Sequence, residues 1–505
     1  MSKQLFNDIL NKYSKLIINA NIYNVVKKTP LQNAKNLSAL TNNNILFKRE
    51  DLQDIFSFKI RGACNKILQL NDNQKKQGIV ACSAGNHAQG VGYLSNKLKI
   101  NSIIVMPITT PQIKIDSVKQ HGKNYTKIVL YGNNYDEASA KAIEIEKKQN
   151  KILIKPFDDE YVIAGNGTIG NEILQDNNKV EKIFIPCGGG GLLAGIVTWI
   201  KYIKPEIKII GVESEDAAGM TLSIKNNKLT KLDTVGFFTD GTAVKEIGKE
   251  TFKLCNMFVD EMITVSTDEI CSAIKMGFND TRVILEPSGA LSIAGMYKYI
   301  NKNKIQDKTL VAITSGSNLD FTRMRFISER TDINEKLINV NIPEIKGSFH
   351  KLYSDIDNLH GIITEFNYRY SDKNNASIYM SFKSKCNNII NNLINIGYDI
   401  KDMSNNELAK SHIRYLSKNT LLQITNELII RFEFPNNLNN LKEFLNKLNM
   451  PWNISLFHYR NHGSDIARIL IGFQVEKKDN NEFFKFLDNL SYKYYDETEN
   501  YNNIM

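Results

Sequence analysis

A chain of 505 residues, 42% hydrophobic and 23% charged, has room for two to four domains with sizeable cores and the composition of a globular protein. Its net charge of +10 does not mark a nucleic-acid binder: Lys supplies 53 of the 64 basic residues, Arg only 11, and no basic run carries interleaved aromatics. Six scattered Cys without a C-x-x-C pair argue against a disulfide framework or a zinc site, and no apolar run reaches a membrane span, so a cytoplasmic chain is expected, with neither nucleic acid nor membrane as partner.

The opening "MSKQLFNDILNKYSKLIINANIY" is amphipathic and contains acids. It has no apolar core region and no small-residue cleavage site, and so resembles neither a secretory signal nor a transit peptide. From about Leu46 to Asn318, short apolar runs alternate with helical stretches. Strands are predicted at "GIVAC" (78–82), "SIIVM" (102–106), "KIVLY" (127–131), "KIFIP" (182–186), "KIIGV" (208–212) and "TLVAIT" (309–314). Amphipathic stretches such as "NYDEASAKAIEIEKKQ" (134–149) lie between them. Buried strands alternating with helices predict an α/β fold with open, largely parallel sheets, whose ligands sit at the strand ends.

Four strand-end or loop segments in this region carry chemistry. In "SFKIRGA" (57–63), Lys59 lies among aromatic and apolar neighbours. Such surroundings favour the neutral amine that forms Schiff bases, although a snorkelling lysine fits the same pattern. In "CSAGNHAQG" (82–90), a strand gives way to small polar residues and a helix. Successive N–H groups there suit a carboxylate; a glycine turn capping a helix is the plainer reading. In "IFIPCGGGGLLAG" (183–195), Gly189, Gly191 and Ala194 satisfy the dinucleotide pattern G-x-G-x-x-A, with Glu213 about 20 residues on. The underlying physics is broader, because glycines let N–H groups converge on any phosphate ahead of a helix start. No Gly-Lys-Ser/Thr follows, which excludes a Walker loop, and a tight structural turn remains open. The last segment, "TSGSN" (314–318), is a strand end bearing hydroxyls.

Past about Arg330 the glycine loops stop and an internal repeat begins. An offset of 91 pairs Ile363 with Ile454, Phe366 with Phe457, Tyr368 with Tyr459, Arg369 with Arg460, Ala376 with Ala467, Ile378 with Ile469 and Phe382 with Phe473. Helical segments "GSFHKLYSDID" and "LNNLKEFLNKL" precede the matching stretches "ITEFNYR" and "ISLFHYR". The pattern is strand–helix–strand–strand twice, a tandem α+β module. His458 and His462 stand four apart near a strand end with no Glu beside them, so no metal is expected there.

Together and in this order, the four segments resemble the threonine/serine dehydratases of the fold-type II pyridoxal-phosphate enzymes. Similarity to the biosynthetic, isoleucine-sensitive branch runs over nearly the whole chain, tandem module included. The resemblance implies a catalytic region at 1–330 and two ACT-like regulatory domains at 339–411 and 425–496. It implies that Lys59 carries pyridoxal 5′-phosphate covalently and that its freed amine takes the substrate Cα proton. Gly188, Gly189, Gly190, Gly191 and Leu192 would bind the phosphate through N–H groups, Asn86 the ring 3′-hydroxyl, and Ser315 the pyridine nitrogen. Ser83, Ala84, Gly85, Asn86 and His87 would hold the substrate carboxylate. A neutral Ser315 does not fix a proton on the ring nitrogen as a carboxylate does, which suits prompt β-elimination better than transamination.

The implied reaction deaminates L-threonine, and L-serine beside it, to the 2-oxo acid and ammonia. Implied partners are isoleucine as inhibitor and valine as activator, with a homotetramer as the assembly. Serine racemase relatives carry a serine where this chain has Ala84. They also bind a cation through a Glu, a carbonyl and an Asp, where this chain offers Glu213, Ala217 and Gly219; racemisation and a metal at that site are not expected. The alternatives are a degradative serine/threonine dehydratase, which lacks the duplicated extension, and an amino-acid sensor without catalysis, against which Lys59, Asn86 and Ser315 stand.

Overall fold

Short β-rich runs flanked by Gly, Asn and Ser build ten strands among the described residues of the first 330. They are β1 (Leu31–Asn33), β2 (Asn44–Lys48), β3 (Ile79–Cys82), β4 (Ser102–Met106), β5 (Thr126–Leu130), β6 (Ile152–Leu153), β7 (Lys182–Pro186), β8 (Lys208–Ser214), β9 (Glu261–Val265) and β10 (Thr309–Ile313). All six strands expected from the apolar runs are present; β1, β2, β6 and β9 are additional. The computed structural model describes residues 3–499 apart from 237, 332–334, 346, 370–373, 385, 387, 407, 408, 410–425, 436–439, 449, 450, 461–465 and 491. His462 therefore lies outside the described residues. The chain divides into two units, 1–333 and 334–505.

The first unit holds two sheets. One is four-stranded and wholly parallel, in the order β5-β4-β3-β6; the other is six-stranded, in the order β1-β2-β10-β7-β8-β9, with only β1 antiparallel. Strands β3, β4, β7 and β10 are almost wholly buried, as strands covered on both faces must be. The functional segments leave these sheets at the carboxyl ends of β3, β7 and β10, where open parallel sheets place ligands. Among the described residues, no helix is long and apolar enough to cross a membrane.

Among the described residues, the second unit holds an antiparallel sheet of eight strands: β11 (Glu335–Pro343), β12 (Gly361–Arg369), β13 (Asn375–Ser384), β14 (Asp399–Asp402), β15 (Glu427–Pro435), β16 (Asn453–Arg460), β17 (Ile466–Gln474) and β18 (Lys493–Asp496). Each repeat is longer than the sequence pattern indicated: a second helix (Ile389–Ile396, Asn480–Asn489) and a closing edge strand (β14, β18) complete a β-α-β-β-α-β unit. The order β14-β11-β13-β12-β16-β17-β15-β18 reads the same from either edge once repeat mates are exchanged. The two halves meet where β12 pairs with β16, with Phe366 opposite Tyr459, Asn367 opposite His458 and Tyr368 opposite Phe457.

Candidate active site

Lys59 opens the helix Lys59–Leu68, and two interactions bring that helix start beside the end of β10. Phe58 N–H donates to the Ser315 carbonyl at 3.1 Å, and Ser57 bridges Gly316. The Lys59 Nζ donates to the Pro156 carbonyl at 3.3 Å and lies 5.2 Å from the centre of the Phe58 ring. Burial pushes its ammonium down to about 8, and the nearby Glu286 carboxylate partly opposes that.

Two residues further along the helix, Arg61 anchors it in a fully buried network. Arg61 donates to Glu50 at 2.7 Å and to Glu172 at 2.6 Å, and Lys48 donates to Glu172 at 2.6 Å. Two cations and two carboxylates cancel there, which is what makes their burial tolerable.

The glycine segment leaves β7 and enters the helix Gly191–Ile203. Gly190, with φ of 89°, occupies the left-handed region that a side chain resists. A Cβ on Gly189 would lie 2.4 Å from the Phe157 ring, and one on Gly188 would lie 2.8 Å from the Thr242 backbone. The Gly189 carbonyl is taken by the Thr251 hydroxyl at 2.7 Å. Among the described residues, no backbone carbonyl accepts from the N–H groups of Gly188, Gly189 or Gly190. Those of Gly191 and Leu192 fall in the first turn of the helix and have no intrahelical acceptor. Five N–H groups without a backbone acceptor, lining one cleft at a helix start, are donors that could hold a dianion.

Lys59, Asn86, Gly188–Leu192 and Ser315 line one cleft, together with Phe58, Phe157, Pro186, Gly241, Thr242, Glu286 and Ser288. Of the Ser83–His87 loop, only Asn86 lines the cleft directly. Ser83 Oγ accepts from Gly85 N–H, and His87 is buried with Nε2 2.9 Å from the Ile154 carbonyl oxygen. Burial, with Lys59 nearby, pushes the His87 imidazole down to about 4, so it is neutral at physiological pH. Ser315 Oγ donates to the Ser288 carbonyl at 3.3 Å.

Phe157, Thr242, Glu286 and Ser288 escape a reading by motif. They come from loops and a helix start far from the glycine segment in sequence, and only folding assembles them. Glu213 serves the backbone instead. Its carboxylate accepts from Met220 N–H, Thr221 N–H and Thr221 Oγ1 at 2.7–2.9 Å, holding the start of the helix Gly219–Lys225. Among the described residues, no group of three or more metal-ligating side chains occurs.

A lysine desolvated at a helix start, a glycine segment with free donors and a hydroxyl at the end of the neighbouring parallel strand are the features of a pyridoxal-phosphate dependent enzyme, and the model of that family matches residues 22–316. A second model, the C-terminal regulatory domain of threonine dehydratase, matches twice, at 327–413 and 418–503. The chain belongs to the threonine dehydratase family. It is 44% identical over 98% of its length to the mitochondrial threonine dehydratase of Saccharomyces cerevisiae, covering 89% of that protein. It is 42% identical over 97% of its length to the biosynthetic L-threonine dehydratase of Escherichia coli, covering 96% of that protein. Among solved structures, the processed form of threonine deaminase isoform 2 from Solanum lycopersicum matches 64% of this chain and 93% of its own, at 44% identity and a TM-score of 0.62.

Proposed function

We propose that this protein deaminates L-threonine to 2-oxobutanoate and ammonia in isoleucine biosynthesis, accepts L-serine beside it, and is inhibited by isoleucine and activated by valine. The observation that carries the reading is the junction of Lys59, the glycine cradle, Asn86 and Ser315 in one cleft, in a chain that matches threonine dehydratases over nearly its whole length. Pyridoxal 5′-phosphate bound there supplies the electron sink that makes the substrate Cα proton acidic.

The chain's own residues do the rest. The Gly188–Leu192 N–H groups would hold the phosphate, Asn86 and Ser315 would fix the ring edges, and the Ser83–His87 loop, which reaches the cleft at Asn86, would take the substrate carboxylate. The desolvated Lys59 amine would accept the Cα proton. The β-hydroxyl leaves as water, and hydrolysis of the resulting enamine returns one water and frees ammonia, so L-threonine yields 2-oxobutanoate and ammonia with nothing left over.

Division of labour at about residue 330 follows from the position of these groups, with regulatory domains at 339–411 and 425–496. The regulatory unit contains a cavity of about 660 Å³, bounded by the Ile342–Lys351 segment of the first repeat and the Leu445–Phe457 segment of the second. It has the size and mixed polarity to take an amino acid. A homotetramer is part of the same reading, and sedimentation of the purified protein checks it.

The test is an assay of 2-oxobutanoate release from threonine, with and without isoleucine and valine. Release with no isoleucine response would retain the catalytic half of the proposal and remove the regulatory half. No release from protein that has bound cofactor would remove the catalytic half.

A further inference from the structure

Glu286 sits at the heart of the cleft without a role in the chemistry derived so far. It precedes the helix Pro287–Asn303 and is 5% exposed. Its Oε1 accepts from Asn86 Nδ2 at 2.7 Å, and its Oε2 accepts from Asn318 N–H at 3.2 Å. Asn318 Nδ2 donates both to the Ile55 carbonyl and to Asn86 Oδ1, each at 2.8 Å.

These bonds have only one consistent direction. An ionised carboxylate can only accept, so Asn86 must turn its NH2 group toward it. Asn318 spends both amide hydrogens as donor, so Asn86 must turn its carbonyl oxygen toward Asn318. The Asn86 amide is thereby fixed at both ends. One hydrogen of its NH2 group is left to serve the cleft.

We propose that Glu286 is a positioning residue whose ionised carboxylate fixes the Asn86 amide so that an N–H, and not a carbonyl, meets the ring oxygen of the bound cofactor. This rests on the pyridoxal-phosphate reading of the site. If Glu286 is protonated, its new O–H faces one of two donors, Asn86 Nδ2 or the Asn318 N–H, so one of those bonds is lost and the Asn86 amide is held less firmly, chiefly from its Asn318 end. The groups charged toward it are Lys59 from its own helix, Asp240 from the loop before Gly241, and Lys114 from the helix Gln112–Gly122. Burial, and next Asp240, push the carboxyl up to about 7, against the pull of Asn86, the Asn318 N–H and Lys114.

The test uses the holoenzyme and its visible absorption band. In the native chain the band should titrate with a midpoint near 7. Infrared difference spectra should show a buried carboxyl protonating at the same midpoint. Glu286→Gln replaces one acceptor with a donor. It should abolish that titration while cofactor stays bound, and lower kcat at pH 8 about tenfold, the cost of one misdirected hydrogen bond, with little change in KM. Glu286→Asp, again acceptor-only, should restore a titration. A Glu286→Gln holoenzyme with the native band and native pH profile overturns the assignment. Should that variant not fold, the native chain still decides, because separate midpoints for the carboxyl and the band overturn it too. Absence of any visible band in the native holoenzyme would instead defeat the cofactor reading itself.

Discussion

The reactivity of Lys59 can be measured as a function of pH, without substrate. An ordinary lysine titrates at 10.5, and burial brings this one to about 8. The difference, 10.5 minus about 8, raises the neutral fraction at pH 7 about 300-fold, from roughly 0.03% to roughly 10%. Only the neutral amine attacks an aldehyde. The rate at which cofactor-free protein regains its visible band on adding pyridoxal phosphate should therefore climb with pH to a plateau with a midpoint near 8. The same burial has a signature in stability. Between about pH 8 and 10.5 the unfolded chain holds a proton that the folded chain has released, so stability rises with pH across that window. The full rise is about 3 kcal/mol, reached above the unfolded-state value and absent below the folded one. Urea denaturation of the cofactor-free protein, compared with Lys59→Met across pH 7 to 11, isolates it. A capture midpoint at 10 or above, or parallel stability curves for the two proteins, would refute the claim that the site desolvates this amine.

Three further outcomes are expected. Arg61→Met leaves Glu50 without its cation in a fully buried site and should cost about 3–5 kcal/mol in urea denaturation of the cofactor-free protein, where a loss under about 1 kcal/mol would show that the network does not hold the Lys59 helix. Gly189→Ala drives a methyl to 2.4 Å from the Phe157 ring, so equilibrium titration should find cofactor affinity lowered at least about tenfold, with a native-like value counting against the cradle. Ser315→Asp should favour a protonated ring nitrogen and raise transamination relative to elimination; an unchanged product ratio with cofactor bound would contradict the electronic argument.

What could be read before folding follows from how local each signal is. Lys59, Asn86, the glycine segment and Ser315 each sit in a short run whose neighbours declare the backbone: an apolar strand, then small residues, then a helix. Glu286 has no such signature. Ahead of "PSGA" it reads as an acid at a helix start, and its value lies in meeting Asn86 and Asn318, 200 and 32 residues away. Phe157 is equally silent, since its function is to occupy space that only glycine leaves free at Gly189 and Gly191. Strand β6 has two residues and β9 begins with an exposed Glu261, so neither shows a buried apolar run. The repeat was visible at an offset of 91 only through its central strands. The first strands, β11 and β15, stand 92 apart, and the closing strands "DIKD" and "KYYD" are too short and polar to declare themselves.

That drift leaves a symmetric frame in the sheet. Phe366 faces Tyr459 and Tyr368 faces Phe457 across β12 and β16, so each repeat presents the other with its own counterpart, as in an isologous dimer fused into one chain. The irregularity between Ile363 and Glu365 recurs between Ile454 and Leu456. The residue skipped in each case, Thr364 or Ser455, sends its hydroxyl to the glutamate opening its own repeat, Glu335 or Glu427. A bulge bound the same way twice is a built feature that bends both halves alike. At two cavity-lining positions the sequence of the repeat changes. Phe349 packs its ring 4.5 Å from Phe366 and 5.2 Å from Phe457, touching both mates; the positions 91 and 92 further on in the sequence are Asn440 and Leu441, neither aromatic. Glu344 accepts from the Tyr368 hydroxyl at 2.8 Å, and the residue 92 further on is the neutral Asn436. The sheet needs two equal halves to close its central seam. The strands have kept that condition, while the sequences following β11 and β15 differ at both of these positions.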